Sequence, residues 1–340
     1  MRHLLFFTSI LFFVNVSNAQ DFPVRLRIFA DLAEFPVIAD AQIKEISKTV
    51  WTAEGKALIH NGKLLSAKNF IVKKSNDKFD LISVFDFNSY VAGVVSKEMP
   101  LSWPLEALKA QAVIARSYAL AKIKERPNKV FHLDTNQMDQ VFAVTHSEKA
   151  KLAVFLTDRV ILKDQKNRIL KAFYHADCGG QTIPASKVWK DAVDSGTAKD
   201  PWCLTRRSNE WDFAIEKNEF FSQVNGAGFL GIADSFRGRI QSVRISSEVD
   251  DIIPLQKLRR IFGFAEIRNS PTSIEQSADQ IKFRGKGYGH GAGLCQWGAM
   301  AQAKMGRSYM QILSHYYPDA QLSENRVRLT KSFMADLVFN

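Results

Sequence analysis

An alanine-rich segment with helical spacing is the feature that most constrains the fold of this chain. Ser102 and Pro104 are residue types that favour the start of a helix. Apolar residues then recur every three or four positions, which predicts a helix with one apolar face; they are Leu105, Leu108, Ala112, Ala115 and Ala119. Because this face is mostly alanine, we expect whatever packs on it to approach closely.

A lone acid precedes this helix. Glu98 follows an apolar run at 90–95 and lies in the turn before the helix begins. Lys109 and Arg116 are seven residues apart and therefore share one side of the helix, off the apolar stripe, with Gln111 and Tyr118 nearby. Basic residues on a helix usually form a solvated edge. The acid just before the helix makes this group a candidate site instead.

The first nineteen residues have the pattern of a secretory signal peptide. Arg2 precedes an apolar stretch at 4–14, and Ser17, Asn18 and Ala19 form a small-residue cleavage site. The pattern predicts an exported protein of the periplasm, cell wall or exterior. A net charge of +11 favours anionic surfaces such as the cell wall. The basic residues are scattered rather than clustered, which argues against a nucleic-acid partner.

The order of patterns along the chain predicts an α+β fold with mixed strands, the central alanine-rich helix, a C-terminal glycine-rich loop and helix, and an additional irregular lobe. We divide the chain into a signal peptide (1–19), a β-rich part (20–87), a core with the Glu98 helix (88–183), an α/β insertion or lobe (184–280) and a C-terminal part completing the core (281–340). Local expectations include a hairpin turn at Asn61-Gly62, strands at 24–29, 70–74, 79–85, 169–174, 240–247 and 281–284, a helix at 252–262, and a capping box at Ser308 and Gln311.

The glycine-rich loop at 285–293 does not fit a nucleotide site. It follows a strand and opens a helix, but the G-x-G-x-x-G spacing fails because Ala292 and Leu294 stand where the third glycine is required. We expect these glycines to let the backbone approach a ligand or a neighbouring strand. The loop would then present Tyr288, His290 and Gln296 around a cleft.

The three cysteines leave two interpretations open. His175 and Cys178, with Cys203 or His290, are residue types that bind zinc. In an oxidising compartment, a Cys178–Cys203 disulfide is equally compatible with the sequence. Cys295 lies near His290 and suggests a Cys–His nucleophile, but a leucine-flanked cysteine at the start of an alanine-rich helix is more often buried.

Three separated motifs resemble one family. They are Glu98-Met99-Pro100 with KAQAVIARSYAL at 109–120, HADCGGQT at 175–182, and GYGHGAGLCQWGAMAQA at 287–303. In this order they resemble the stage II sporulation protein D family, which includes amidase-enhancer proteins, over about 81–317. The chain departs from the family pattern at Ile114, and at Leu294-Cys295 where Met-Ser is usual.

The resemblance implies lytic transglycosylation of peptidoglycan, preferentially on glycan strands stripped of stem peptides, with Glu98 aligned with the catalytic acid. It also implies zinc binding by His175 and Cys178, with Cys203 as third ligand. The lytic chemistry itself needs no cofactor, so a zinc in such an enzyme would be structural, whereas a zinc hydrolase built on His175, Cys178 and Cys203 is a further alternative. A non-catalytic glycan-binding activator of a cell-wall amidase is the alternative. The candidate residues for holding or stacking on sugars are Lys109, Gln111, Arg116, Tyr118, Tyr174, Tyr288, His290, Gln296 and Trp297.

One acid is enough for a lytic transglycosylase. Hydrolytic glycosidases generally use two carboxyl groups. In the lytic reaction the acid protonates the glycosidic oxygen, and the resulting carboxylate accepts the proton of the sugar's own C6 hydroxyl as a 1,6-anhydro ring closes. The acid must start protonated, so we expect burial beside residues such as Met99 and Trp103 to raise the pKa of Glu98.

Overall fold

The computed structural model describes residues 23–58, 64–127, 129–135, 139–205, 209–246 and 251–324. The predicted signal peptide and the Asn61-Gly62 turn lie outside these residues. Among the helices that are described, none has the length and apolar character needed to cross a bilayer. The predicted α+β class is confirmed, since helices and several sheets alternate along the chain.

The N-terminal part forms most of a six-stranded sheet, as the alternating patterns predict. The strands are β1 (Pro23–Leu32), β2 (Ile38–Ser47), β3 (Val50–Leu58), β4 (Leu64–Ser75), β5 (Lys78–Asp86) and β6 (Leu133–Asp134). Their spatial order is β2-β3-β4-β5-β1-β6, antiparallel except for the parallel pairing of β6 with β1. Between β4 and β5, Asn76 and Asp77 both have positive φ, as a two-residue hairpin turn requires.

Two consecutive helices carry the largest core. Helix α1 (Phe87–Glu98) is capped by Asp86, whose side chain accepts a hydrogen bond from Ser89 N–H at 2.8 Å, and Glu98 is the last residue of the helix. Helix α2 (Leu105–Glu125) follows Pro104. Every residue of α2 from 107 to 123 is buried except Lys109. The alanine-rich helix is therefore enclosed on nearly all sides rather than amphipathic.

The short elements that follow surround α2. They are α3 (Glu148–Phe155), β7 (Val160–Lys163) and β8 (Tyr174–His175). The helix–strand order at 147–162 is confirmed. The strand predicted at 169–174 is wrong, because only its last residue enters β8. A short apolar run does not specify its backbone conformation, and here tertiary contacts determine it.

A second hydrophobic core lies between residues 211 and 283. Its elements are β9 (Glu210–Glu216), α4 (Lys217–Gln223), β10 (Phe229–Phe236), β11 (Arg239–Ser246), β12 (Asp251–Pro254), α5 (Leu255–Phe262), β13 (Pro271–Gln276) and β14 (Gln280–Lys286). The strands form two three-stranded sheets, ordered β10-β11-β12 and β13-β14-β9, which pack with the two helices. The predicted strands near 240 and 281 are confirmed, and the predicted helix at 252–262 begins three residues later.

The C-terminal elements return to the first core. They are β15 (Leu294–Cys295), α6 (Gln296–Lys304), α7 (Tyr309–Tyr316) and β16 (Gln321–Glu324). The capping box of α7 is present as predicted. β15 pairs in parallel with β8, placing Leu294 beside Tyr174 and Cys295 beside His175. This pairing joins the glycine-rich loop to the middle of the chain.

Candidate active site

A cleft of about 1310 Å³ opens beside the C-terminal end of α1. Its walls come from α1, α2, the segment at 164–176, the segment at 188–193 and the glycine-rich loop. Seven predicted residues line it: Glu98, Tyr118, Tyr174, His175, Tyr288, His290 and Gln296. The fold thus gathers into one cleft residues that are almost 200 positions apart in the sequence.

Glu98 is held in a defined orientation. One of its carboxyl oxygens, Oε1, accepts a hydrogen bond from the backbone N–H of Val141 at 2.9 Å. Its own backbone carbonyl accepts a hydrogen bond from the side-chain amide of Gln296 at 3.1 Å. Because both ends of the residue are tied to other segments, the carboxyl group has a fixed position in the cleft.

Burial raises the pKa of Glu98, and this outweighs the lowering effects of the Val141 N–H and of the Tyr174 hydroxyl. The Tyr174 hydroxyl is itself buried and lies within electrostatic reach of the carboxyl group, but it forms no hydrogen bond of regular geometry with it. The raised pKa agrees with the expectation from sequence. A larger fraction of Glu98 is therefore protonated at a given pH than of an exposed glutamate.

Two neutral histidines border the cleft. His175 Nδ1 lies 3.0 Å from the carbonyl oxygen of Ala292, so Nδ1 carries the proton of this ring. His290 Nδ1 accepts the N–H of Ala292 at 3.1 Å, which gives His290 the opposite tautomer. Burial lowers the pKa of both, to about 4 for His175. Both rings therefore lie at the cleft without adding positive charge.

The glycine-rich loop comes close to the backbone of β8, as the sequence predicts. Tyr288 and Asp177 exchange backbone hydrogen bonds at 2.8 and 2.9 Å. Gly289 has a φ of +113°, and a Cβ atom there would lie 2.8 Å from His175 Cβ. Only glycine combines this backbone conformation with so close an approach to His175, so Gly289 sets the distance between the two cleft walls.

Three residues predicted to hold sugar groups do not line the cleft. Lys109 forms an ion pair with Glu106 at 2.6 Å. Arg116 is 2% exposed and donates to the backbone carbonyls of Val160 and Val154 at 3.1 and 3.3 Å. Gln111 is fully buried behind Gln296 and accepts its amide N–H at 3.4 Å. The sequence gives the helical face of these residues but not the neighbours that cover it.

Trp297 is also placed away from the cleft. It packs against Trp103, with ring centroids 5.0 Å apart, at the edge of the main core. A tryptophan that does line the cleft is Trp189, which stacks on Phe173 with ring centroids 4.1 Å apart and contacts the His290 ring at 4.8 Å. Nothing in the sequence around Trp189 distinguishes it from other loop aromatics.

Asp139 is a second residue that sequence reasoning missed. It accepts hydrogen bonds from the hydroxyl of Tyr118 at 3.0 Å and the backbone N–H of Asp134 at 3.0 Å. It also forms a buried ion pair with Lys122 at 2.7 Å. These contacts anchor the loop that carries Val141, so Asp139 supports the position of Glu98 from a distance.

The structure assembles a different group of possible metal ligands from the one predicted. Cys178 and Cys203 are together, but their neighbours are Cys295 and Asp200 rather than His175. All three cysteines are free thiols, and the candidate Cys178–Cys203 disulfide is not formed. Since Cys295 is fully buried in this group, the Cys–His nucleophile is not supported.

The fold and the cleft define a class of protein: an α+β chain with an open cleft in which a partly buried glutamate, Glu98, is held in a fixed orientation. A family model described as stage II sporulation protein matches residues 75–163, which include Glu98 and α2. An uncharacterised protein of Brachyspira hyodysenteriae is 30% identical over 274 residues, covering 77% of this chain and 73% of that protein. The chain belongs to the stage II sporulation protein D family.

Two further relatives carry functional names. Stage II sporulation protein D of Bacillus amyloliquefaciens is 29% identical, with 71% of this chain and 75% of that protein covered. A protein of Bacillus subtilis named amidase enhancer is 28% identical over 68% of this chain, but this chain spans only 40% of it. The family is shared between proteins whose names indicate different roles.

Proposed function

We propose that this protein is a peptidoglycan lytic transglycosylase that cleaves the MurNAc–GlcNAc bond and leaves 1,6-anhydro-MurNAc. The single observation that carries the proposal is the carboxyl group of Glu98, which lies in the cleft, is fixed by Val141 N–H and has a raised pKa. A carboxyl group with these properties is suited to donate a proton to a leaving oxygen at moderate pH.

Three of the four other carboxylates that line the cleft are held in ion pairs. Asp139 is paired with Lys122 at 2.7 Å, Glu125 with Lys171 at 2.9 Å and Asp164 with Arg168 at 2.7 Å. The fourth, Asp191, is exposed to solvent, whereas Glu98 is partly buried. Within the described residues, Glu98 forms no ion pair. Burial alone would raise the pKa of Asp164, but hydrogen bonds and the charge of Arg168 lower it overall, so Asp164 is a poor proton donor.

In the first step, Glu98 donates its proton to the glycosidic oxygen as the bond to C1 of MurNAc breaks. In the second step, the Glu98 carboxylate accepts the proton of the C6 hydroxyl as its oxygen closes on C1. The attacking hydroxyl belongs to the same sugar, so no second carboxylate has to activate a water molecule. Glu98 ends the cycle protonated.

The cleft walls are suited to a sugar polymer. Tyr288 is 47% exposed, and the stacked pair of Trp189 and Phe173 offers a flat apolar surface. The polar side chains of His290 and Gln296 line the same cleft and are the proposed contacts for hydroxyl and N-acetyl groups. The cleft volume of about 1310 Å³ is larger than that of a typical small-molecule site. Strands poor in stem peptides are the proposed substrate.

Export to the cell wall is part of the proposal. The signal-peptide pattern at 1–19 and the net charge of +11 support an exported protein that is peripheral to an anionic wall. The test is mass spectrometry of products after incubation of the purified mature protein with intact and with amidase-treated peptidoglycan. Products ending in 1,6-anhydro-MurNAc support the proposal, and reducing-end products would indicate a hydrolase.

The dependence of activity on pH gives a second test. Because Glu98 must begin protonated, kcat/KM should fall about tenfold per pH unit above its pKa. Since burial raises that pKa, the descending limb should lie above the value of about 4.3 for an exposed glutamate. Initial rates on amidase-treated glycan between about pH 4 and 9 measure it. A limb at the ordinary glutamate value would contradict the role of burial.

A non-catalytic activator of a cell-wall amidase is the second candidate, favoured by the relative named amidase enhancer. Adding this protein to a purified amidase and measuring peptide release tests it. In that case Glu98→Gln should enhance the amidase as well as the unaltered protein does, and neither should form anhydro products. The lytic proposal instead expects the unaltered protein to form anhydro products and Glu98→Gln to form none.

A further inference from the structure

Four possible metal ligands meet behind the wall of the cleft. One donor atom from each of Cys178, Asp200, Cys203 and Cys295 lies within 4.8 Å of all the others. All four residues are at most 1% exposed. We propose that these four side chains bind a single structural Zn²⁺ ion, and that His175 is not among its ligands.

The distances suit a tetrahedral ion. Cys178 Sγ lies 3.3 Å from Cys203 Sγ and 3.3 Å from Asp200 Oδ2. A Zn–S bond of about 2.3 Å places tetrahedral ligands roughly 3.8 Å apart, so a small outward movement accommodates the ion. Three thiolates and a carboxylate are a donor set that favours zinc over magnesium or calcium.

The backbone is arranged to stabilise thiolates. The N–H of Gly180 points to Cys203 Sγ at 3.0 Å, and the N–H of Cys178 points to Cys295 Sγ at 3.2 Å. Gly298 N–H, in the first turn of α6, points to Cys295 Sγ at 3.4 Å. Donors aimed at sulfur favour its charged form, which is the form that binds metal.

Groups around the ligands fix their orientation and offset their charge. The hydroxyl of Tyr316 donates to Asp200 Oδ2 at 2.6 Å, and the N–H of Cys203 donates to Asp200 Oδ1 at 3.2 Å. The buried guanidinium of Arg239 donates to the carbonyl of Cys178. Three thiolates and one carboxylate exceed the charge of Zn²⁺ by two, and Arg239 offsets one of these negative charges.

The arrangement indicates a structural rather than a catalytic ion. All four tetrahedral positions are supplied by buried protein groups, which leaves none for water or substrate. The zinc would join the turn at Cys178, the segment at 200–203 and the start of α6. Because Gln296 follows Cys295 directly and contacts Glu98, this connection would also hold one wall of the cleft.

The first experiment measures metal in the unaltered protein. We expect about one zinc per chain after dialysis, and three thiols alkylated only after chelation and unfolding. Replacing zinc by Co²⁺ should give the visible spectrum of a tetrahedral site and a near-ultraviolet thiolate-to-cobalt band. A zinc-free protein with a Cys178–Cys203 disulfide would overturn the proposal.

Variants then identify the ligands. Cys295→Ser and Asp200→Asn should each release zinc under mild chelation and lower the melting temperature, whereas His175→Ala should retain zinc. If His175→Ala loses the ion while Asp200→Asn keeps it, the assignment is wrong. In Co²⁺-loaded Cys295→Ser protein, the thiolate-to-cobalt band should weaken, which reports on the ligand directly.

Two adjacent tyrosines provide a matched control. Tyr316 and Tyr317 are both fully buried, and both hydroxyls are hydrogen-bonded, but only Tyr316 contacts a proposed ligand. Tyr316→Phe should weaken zinc binding about 10- to 100-fold in competition with a chelator. Tyr317→Phe should leave the affinity unchanged. Equal effects of the two substitutions would contradict the proposed contact.

Discussion

We expect the replacement of Glu98 with glutamine to reduce the formation of 1,6-anhydro products strongly and to leave the protein folded. The amide has the shape of the acid and keeps an oxygen for the Val141 N–H, but it has no proton to donate to the leaving oxygen. Loss of general acid catalysis lowers the rate by about 10²- to 10⁴-fold. Quantifying anhydro-MurNAc ends by mass spectrometry at equal protein concentration gives the rate.

The stability of this variant provides its first control. The pKa of Glu98 is higher in the folded than in the unfolded protein, so its contribution to stability is present at low pH and is lost as pH rises through the folded pKa. Glutamine cannot ionise and is spared this loss, so the melting temperature at neutral pH should not fall. Lost activity with a lowered melting temperature would point to misfolding.

Glu148→Gln is the matched control for Glu98→Gln, since it makes the same chemical change outside the cleft. Glu148 is exposed at the start of α3 and pairs with Lys151 at 2.9 Å, and it does not line the cleft. The Glu148→Gln variant should retain full activity. If Glu98→Gln also remained fully active, the assignment of Glu98 as the acid would be withdrawn.

Replacing Gly289 with alanine should destabilise the protein and disturb the cleft together. The positive φ costs about 1–2 kcal/mol for a residue with a side chain. The contact with His175 Cβ adds roughly 1–3 kcal/mol of overpacking. Urea unfolding followed by tryptophan fluorescence measures the total, which we expect to be about 2–5 kcal/mol.

Gly306→Ala separates the two contributions. Gly306 has a φ of +85°, and a Cβ atom there would meet nothing within 4 Å. This substitution should cost only the conformational term of about 1–2 kcal/mol and leave catalysis unaffected. Equal losses in the two variants would show that the approach of the glycine-rich loop to His175 carries no packing constraint.

The parts of the fold that follow from local patterns could be predicted from the sequence. Alternation identified β1 and β5, and capping residues identified α7, because each depends on neighbours a few positions away. The strand expected at 169–174 failed because the pairing with β15, more than 100 positions distant, includes only the last residue of that segment, Tyr174.

The same distinction applies to the site. Glu98 and the glycine-rich loop could be found because motifs mark them. The N–H of Val141 and the side chain of Asp200 could not, since any residue supplies a backbone N–H and a lone aspartate resembles a surface residue. Arg116 was assigned to the cleft because periodicity gives its side of α2, whereas its burial depends on the carbonyls of Val154 and Val160.

The parallel pairing of β8 with β15 has a consequence for the order of assembly. Glu98 is synthesised almost 200 residues before Gln296, and the two meet only when β15 has joined β8. A nascent chain that ends before residue 294 carries the acid but lacks the opposite wall. Contacts this distant in sequence form slowly in folding. The cleft is therefore complete only after the segment that begins at β15 has docked on β8, long after Glu98 itself has been synthesised.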